Sequence, residues 1–370
     1  MQKRKRNILL KMERRYDLDW LRVAGVFLVV IFHTMMIFIL EPWAVVYIKD
    51  TEYVYGFKPV SSFIHIFHMP LMFIIAGMSA KFSLRKRTAQ KFLKERFFKL
   101  FLPAIFGCLI LNPVMTYIYQ ISMGEKTTFV EHLVGYFTKN PGDLSGIDGG
   151  FTPAHFWFLI FLFLFSCLGL PYFLKGTQKP FLLLAKPYCL LLFSVPIALA
   201  SLTNLLEDKN PIPYFFEFLM GYYLASDDSY REALKRDKFG YAMIGILCSC
   251  ISIGVGELGE NQVFGNVIPA LVTQISSLSL VFALVGIGDS FWNKNCKALR
   301  YLSGACFPVY IIHMLVNTVV GFFIVQLSIP VVVKFALILL LTILLSLVIY
   351  EIIRLCKEKV IVKEETLCAK

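Results

Sequence analysis

The chain has 370 residues, 57% of them hydrophobic and only 17% charged, with a mean hydropathy of +0.67. Soluble globular chains run at roughly 45–50% apolar and about 25% charged residues, so this surplus cannot be hidden in one soluble core. The composition excludes a soluble enzyme, a disordered chain and a secreted disulfide scaffold. It describes an all-α, polytopic integral membrane protein.

Ten apolar segments follow one another: 22–40, 61–80, 100–121, 155–174, 181–201, 212–226, 239–256, 267–288, 306–326 and 330–353. Most are long enough to cross a bilayer as helices. The sixth has only 15 residues and is flanked by Pro211 and Pro213, so it is expected to be tilted, broken or re-entrant. Basic residues stay on the cytoplasmic side of a membrane. Counting the gaps alternately from the N-terminus, 31 of the 37 Lys and Arg fall on the N-terminal side. Five (Lys49, Lys58, Lys126, Lys139 and Lys209) fall on the other, and Lys334 lies near the outer end of the last helix. An even number of passes with both termini cytoplasmic is therefore expected, in a multi-pass protein of the cell membrane. The net charge of +12 marks this topology and contact with anionic lipid headgroups; no nucleic-acid partner is expected.

The expected organisation is a basic cytoplasmic segment 1–21, a ten-helix domain 22–353 and a cytoplasmic tail 354–370. The first apolar segment runs into Glu41, Pro42 and Trp43 without a small-residue cleavage pattern, so it reads as an uncleaved helix. In the longest outer gap, Phe129, Val130, Leu133, Val134 and Phe137 recur at helical spacing and predict a short amphipathic helix on the outer face. The glycines from Gly142 to Gly150 are no phosphate loop, because no strand leads in and no Gly-Lys-Ser/Thr follows. Nine cysteines without a C-x-x-C pair read as small buried hydrophobes.

Ionisable groups inside a membrane are costly and each needs a reason. Arg22 and His33 are eleven residues apart, which leaves them about 20° apart around a helix and about 16 Å apart along it. A cation at the cytoplasmic mouth can hold a phosphorylated ligand, while an imidazole deeper on the same face can take a proton. The alternative is a snorkelling arginine and a histidine bonded to a neighbouring helix.

The opening Arg-Arg-Tyr-Asp-Leu-Asp-Trp-Leu-Arg (14–22) with Val-Val-Ile-Phe-His (29–33) resembles the first helix of membrane acyltransferase family three, whose mark is an arginine, ten residues and a histidine. The stretches 68–77 (HMPLMFIIAG), 92–103 (FLKERFFKLFLP), 155–159 (HFWFL), 218–222 (FLMGY) and 307–313 (FPVYIIH) are similar to the same family in the same order. Within it, the glucan biosynthesis protein C branch, which transfers succinyl groups to periplasmic glucans, looks most similar. The resemblance runs from about residue 14 to 350. It implies a ten-helix acyltransferase with His33 as catalytic residue, either general base or transient acyl carrier, and Arg22, Arg96 and Lys99 toward the acyl donor; His313, in the family's Tyr-x-x-His, either contacts the donor or braces helices. The family's Arg-x-x-Arg before the third helix is here Arg96-x-x-Lys99, and lysine lacks the two-pronged geometry that grips a phosphate.

On the acceptor side stand His68, Glu217 and Trp157. His68 lies at a depth similar to His33, and with His65 it forms His-x-x-His, but no third ligand at useful spacing completes a metal site. Glu217 is a lone carboxylate in the short sixth segment, suited to sugar hydroxyls, to fixing a histidine, or to a structural hydrogen bond. Trp43, Tyr47, Tyr53, Tyr55 and Phe57 could stack on sugar rings or form an interfacial belt.

The expectation is an O-acyltransferase that moves an acetyl- or succinyl-type group from cytoplasmic acyl-CoA, a co-substrate, to an extracytoplasmic glycan or lipid-linked sugar. No permanently bound cofactor and no metal is expected, and a homodimer is allowed. The rival class is a proton-coupled transporter, since buried ionisable groups in ten helices suit one equally. Paired Gly/Pro-broken helices in matching halves would speak for it and are not seen.

Overall fold

The structure is a computed structural model and describes residues 14–40, 47–139, 145–175, 181–203, 205–206, 209–257 and 266–368. Trp43, Glu207, the start of the glycine-rich stretch and most of the basic N-terminal segment lie outside the described residues.

Every regular element among the described residues is a helix. We number the elements α1 (Tyr16–Met36), α2 (Phe57–Leu84), α3 (Ala89–Ser122), α4 (Phe129–Thr138), α5 (Trp157–Leu174), α6 (Ser194–Ser201), α7 (Pro211–Leu224), α8 (Asp228–Glu257), α9 (Val267–Ile287), α10 (Lys297–Ile324) and α11 (Val331–Cys368). Eight of them are long and apolar enough to cross a membrane: α1, α2, α3, α5, α8, α9, α10 and α11, some with short helical extensions. Their large outward-facing side chains, such as Phe98, Leu109, Leu168, Met243 and Val348, are apolar, as a lipid solvent requires. The chain is a multi-pass membrane protein.

The fifth and sixth segments differ from the rest. The fifth consists of two 3-10 turns, Leu182–Ala185 and Cys189–Phe193, leading into the eight-residue α6. It still crosses the bundle. Its start is held where α7 ends and α8 begins, with Phe181 N donating to Tyr223 Oη at 3.3 Å and to Tyr230 Oη at 2.8 Å. Its far end meets the start of α7, where Asn210 Nδ2 donates to Thr203 Oγ1 at 2.9 Å and to Ala200 O at 3.2 Å. Pro187, between the two 3-10 turns, explains the interruption, since proline removes a ladder donor and clashes with the preceding turn. The sixth segment is a regular helix, α7, of 14 residues starting on Pro211.

α2 and α7 run side by side in the same direction. Phe73 stacks on Tyr214 (centroids 4.9 Å apart) and Lys81 lies 4.6 Å from the Tyr222 ring centroid. Their backbones nearly touch, because a Cβ on Gly77 would collide with the Phe218 carbonyl and one on Gly221 with that of Ile74. Close approach of this kind replaces the hydrophobic drive that is missing between helices in lipid.

α4 confirms the helix expected from the 129–137 pattern, and its cap is built from Thr128 and Glu131 in a reciprocal box. Its polar side faces the protein: His132 and Tyr136 are buried, whereas Phe129, Val130, Val134 and Phe137 are exposed. His132 meets Gln120 Oε1 at 2.6 Å and Thr116 Oγ1 at 3.0 Å, and Tyr136 Oη donates to Cys108 O at 2.8 Å. The apolar stripe therefore turns away from the bundle, the reverse of a soluble helix.

Two buried ionic clusters mark the ends of the bundle. On the basic side, Asp289 receives both prongs of Arg231 at 2.6 Å, and Arg15 grips Asp17 at 2.6–2.8 Å. On the far side, Lys334 of α11 reaches Asp50 at 2.9 Å, and both side chains are almost fully buried. This pair ties the loop after α1 to the start of the last helix. Lys49 beside it caps α1 by donating to Met36 O and Ile39 O at 2.9 and 2.7 Å.

Candidate active site

α1 carries two candidate residues at its two ends. Arg22 lies near its start, and His33 in its last turn, closer to the helix end than the run of apolar residues to Leu40 implied. His33 is partly exposed, and its Nδ1 lies 3.1 Å from His313 Nε2 of α10. The other nitrogen of His313, Nδ1, lies 2.7 Å from Tyr310 O. A carbonyl can only accept, so the proton of a neutral His313 sits on Nδ1 and its Nε2 offers a lone pair. His33 Nδ1–H must then be the donor to it. This assignment follows from the network, and it leaves His33 Nε2 unprotonated and outside the pair.

Further histidines surround the pair. The His155 ring centroid is 5.0 Å from that of His313. Phe32 sits among His33, His65 and His68, with centroids 5.6, 5.8 and 5.2 Å away. His68 Nδ1–H donates to Ile64 O at 2.9 Å within its own helix. The titratable neighbours that act on His33 are His313, His155 and His68. Five of the six histidines of the chain thus gather near one end of α1, although no group of three His, Cys, Asp or Glu among the described residues could hold a metal ion. The register of α1 on α10 is held one step further on, where Asn317 Nδ2 donates to Thr34 Oγ1 at 2.8 Å.

At the basic end, Arg22 donates to Ser79 Oγ at 3.0 Å and to Asp19 at 3.2 Å. Arg96 lies within electrostatic range of Arg22 and Arg87 and over the Phe92 ring at 5.0 Å. Arg22 and Arg96 therefore belong to one basic cluster. The structure does not bring Lys99 to them: that side chain is 72% exposed and lies 3.7 Å from Glu95. A π-helical turn, Phe97–Phe101, begins directly after Arg96, and its wider winding turns Lys99 off the Arg96 face.

The acceptor-side candidates are dispersed. Trp157 packs in an aromatic cluster with Phe161, Tyr214 and Phe73, at centroid distances of 5.3, 5.5 and 6.1 Å. Glu217 is 1% exposed, and neither of its carboxylate oxygens has a hydrogen-bond partner among the described residues. One turn further along α7, Gly221 abuts the α2 backbone, so Glu217 is directed into the helix interface. His313, placed by resemblance at the donor or in a helix brace, here contacts His33 directly. His155 and Tyr310 were not singled out by the sequence reading, although both lie inside motifs that carried the resemblance. Their spacing to His33 gives no signal, because the contacts join three different helices.

A family model described as an acyltransferase domain matches residues 15–351. Neither a curated protein nor a solved structure matches the chain. The matched stretch contains both ends of α1, the basic cluster and the histidine cluster, and it covers most of the 370 residues. The chain is a membrane acyltransferase, and it belongs to the acyltransferase-3 family.

Proposed function

We propose that the enzyme transfers a small acyl group, acetyl or succinyl in type, from acyl-CoA at the basic end to a hydroxyl of a glycan or lipid-linked sugar at the far end. The observation that carries this reading is the 3.1 Å pairing of His33 Nδ1 with His313 Nε2, which leaves His33 Nε2 as a base on the same helix as Arg22 and about 16 Å from it by helical rise. The basic end is taken as cytoplasmic, because the Lys and Arg of the chain concentrate there. That orientation puts both termini inside the cell and suits the plasma or inner membrane.

Arg22 and Arg96 hold the donor's phosphates by charge-assisted hydrogen bonds, and the pantetheine arm follows α1 toward His33. His33 Nε2 takes the proton of the acceptor hydroxyl as its oxygen attacks the thioester carbonyl carbon. The imidazolium that forms keeps its Nδ1–H bond to His313. Collapse of the tetrahedral intermediate breaks the C–S bond, and the proton leaves with the CoA thiolate. His313 plays the orienting part that a carboxylate plays in hydrolase triads. Lys99 contributes only long-range positive charge, and Glu217 and Trp157 support the helices around the acceptor path.

Purified protein in detergent should release free thiol from acyl-CoA in the presence of a sugar acceptor. His33→Ala should lose 10²–10⁴-fold in rate while keeping its thermal midpoint within a few degrees. A His33→Ala variant with wild-type turnover would remove the base from this mechanism.

A further inference from the structure

We infer that His155 is a positioning residue for the reaction, fixing through His313 which nitrogen of His33 is basic. This rests on the acyl-transfer reading for its catalytic meaning, though not for its geometry.

The contacts between His155 and α10 run both ways. His155 Nε2–H donates to Ile311 O at 3.2 Å, and Tyr310 Oη donates to the backbone carbonyl of His155. The two α10 residues involved are adjacent, and the Tyr310 carbonyl beside them is the one that accepts His313 Nδ1–H at 2.7 Å. His155 and Tyr310 thus clasp the helical turn whose carbonyl sets the His313 tautomer. The second nitrogen of His155, Nδ1, is buried and has no hydrogen-bond partner among the described residues. The ring proton therefore resides on Nε2, where it can be accepted. The ring is 7% exposed and packs edge-on against His313, 72° from coplanar, so its orientation is restrained as well.

The consequence can be followed atom by atom. With the turn clasped, His313 is protonated on Nδ1, its Nε2 accepts from His33 Nδ1–H, and His33 Nε2 is the base. If the turn relaxes and Tyr310 O moves off, His313 can carry its proton on Nε2 instead. That proton would point at His33 Nδ1, the His33 proton would move to Nε2, and the nitrogen facing outward would no longer accept. The proton count is unchanged; only the site of basicity moves.

Three substitutions separate this role from simple packing. His155→Gln places an amide N–H near the position of Nε2, and His155→Asn places one only near Nδ1, out of reach of Ile311 O. Tyr310→Phe keeps the ring and removes the other half of the clasp. Each variant is purified in the same detergent as the wild type, its thermal midpoint is recorded, and two rates are measured. One is kcat and donor KM for acyl transfer across pH. The other is carbethoxylation of His33 by diethyl pyrocarbonate, read by peptide mass spectrometry, which senses an accessible imidazole lone pair and needs no acyl acceptor. We expect His155→Asn and Tyr310→Phe to lower kcat roughly 10- to 100-fold, by analogy with the loss of a partner that orients a metal-ligating histidine. Donor KM should stay unchanged, and His33 modification should slow in parallel. His155→Gln should restore most of both rates.

Equal His33 modification rates in the wild type and in the Tyr310→Phe and His155→Asn variants would overturn the inference. So would a His155→Asn variant as active as His155→Gln. If the wild type releases no thiol from any acyl-CoA yet shows the expected modification pattern, the positioning role stands and the acyl-transfer reading fails.

Discussion

Replacing Arg22 by alanine should raise the donor KM by tenfold or more, since a hydrogen bond to a charged group contributes about 1.5–3 kcal/mol. The acceptor KM should stay near its wild-type value. Arg22→Lys should recover only part of the loss, because an ammonium cannot match a phosphate with two parallel donors. Steady-state kinetics decide this, and an unchanged donor KM in Arg22→Ala would place the phosphates elsewhere. At this scale the sequence was informative along one helix and poor between helices. The eleven-residue step from Arg22 to His33 could be read directly, because helical geometry converts spacing into direction. The contact of His33 with His313 spans 280 positions, and no periodicity encodes it. Lys99 shows a different failure: the resemblance implies a place beside Arg96 at the donor, and the π-helical turn after Arg96 changes the angle between them.

Helix packing makes the next set of expectations. Gly77→Ala should lower the thermal midpoint measurably, at a cost of about 1–3 kcal/mol, because the added methyl meets the Phe218 backbone rather than a movable side chain. Gly56→Ala, at a position with nothing within 4 Å of a Cβ, is the control and should be near neutral. α4 offers a pH test. Burial holds the His132 imidazole below its ordinary pKa. As pH falls through about 6.5, the value for a solvated histidine, the unfolded chain takes up a proton that the folded one does not, so this contribution to stability is lost on acidification. The wild type should therefore lose more of its midpoint than His132→Gln between pH 7.5 and 5. Parallel curves would mean that His132 does not titrate in this window. The existence of α4 was legible in its apolar spacing, but its orientation was not. That spacing cannot say whether lipid or protein covers the stripe. The buried partners of His132 and Tyr136 decide it.

Across the whole molecule, the charge asymmetry makes a topological prediction. A cysteine at Lys139 should be labelled by an impermeant maleimide in intact cells, and one at Lys86 only after permeabilisation. Protection at position 139 would invert the map. Hydropathy carried most of the architecture here, because a lipid solvent forces long apolar helices. It failed at the fifth segment, where an apolar run of ordinary length is crossed by 3-10 turns and a short helix. Turn hydrogen bonds such as Leu184 N to Phe181 O and Leu191 N to Tyr188 O substitute there for the regular ladder, and no composition reports them.

The pair of Asp50 and Lys334 gives the far end of the bundle a thermodynamic signature of its own. Neither charge has water to return to if the other is deleted, so Asp50→Asn or Lys334→Met alone should cost about 3–5 kcal/mol, the usual penalty for stranding one buried ion. The double variant should recover most of that loss, because the desolvation cost disappears with the second charge. The coupling energy in a double-mutant cycle should therefore be large and opposite in sign to the sum of the single effects. Additive losses would mean that each side chain acts separately. With coupling, covalent neighbours of the first helix and of the last would melt together, although some 280 residues separate them in the chain.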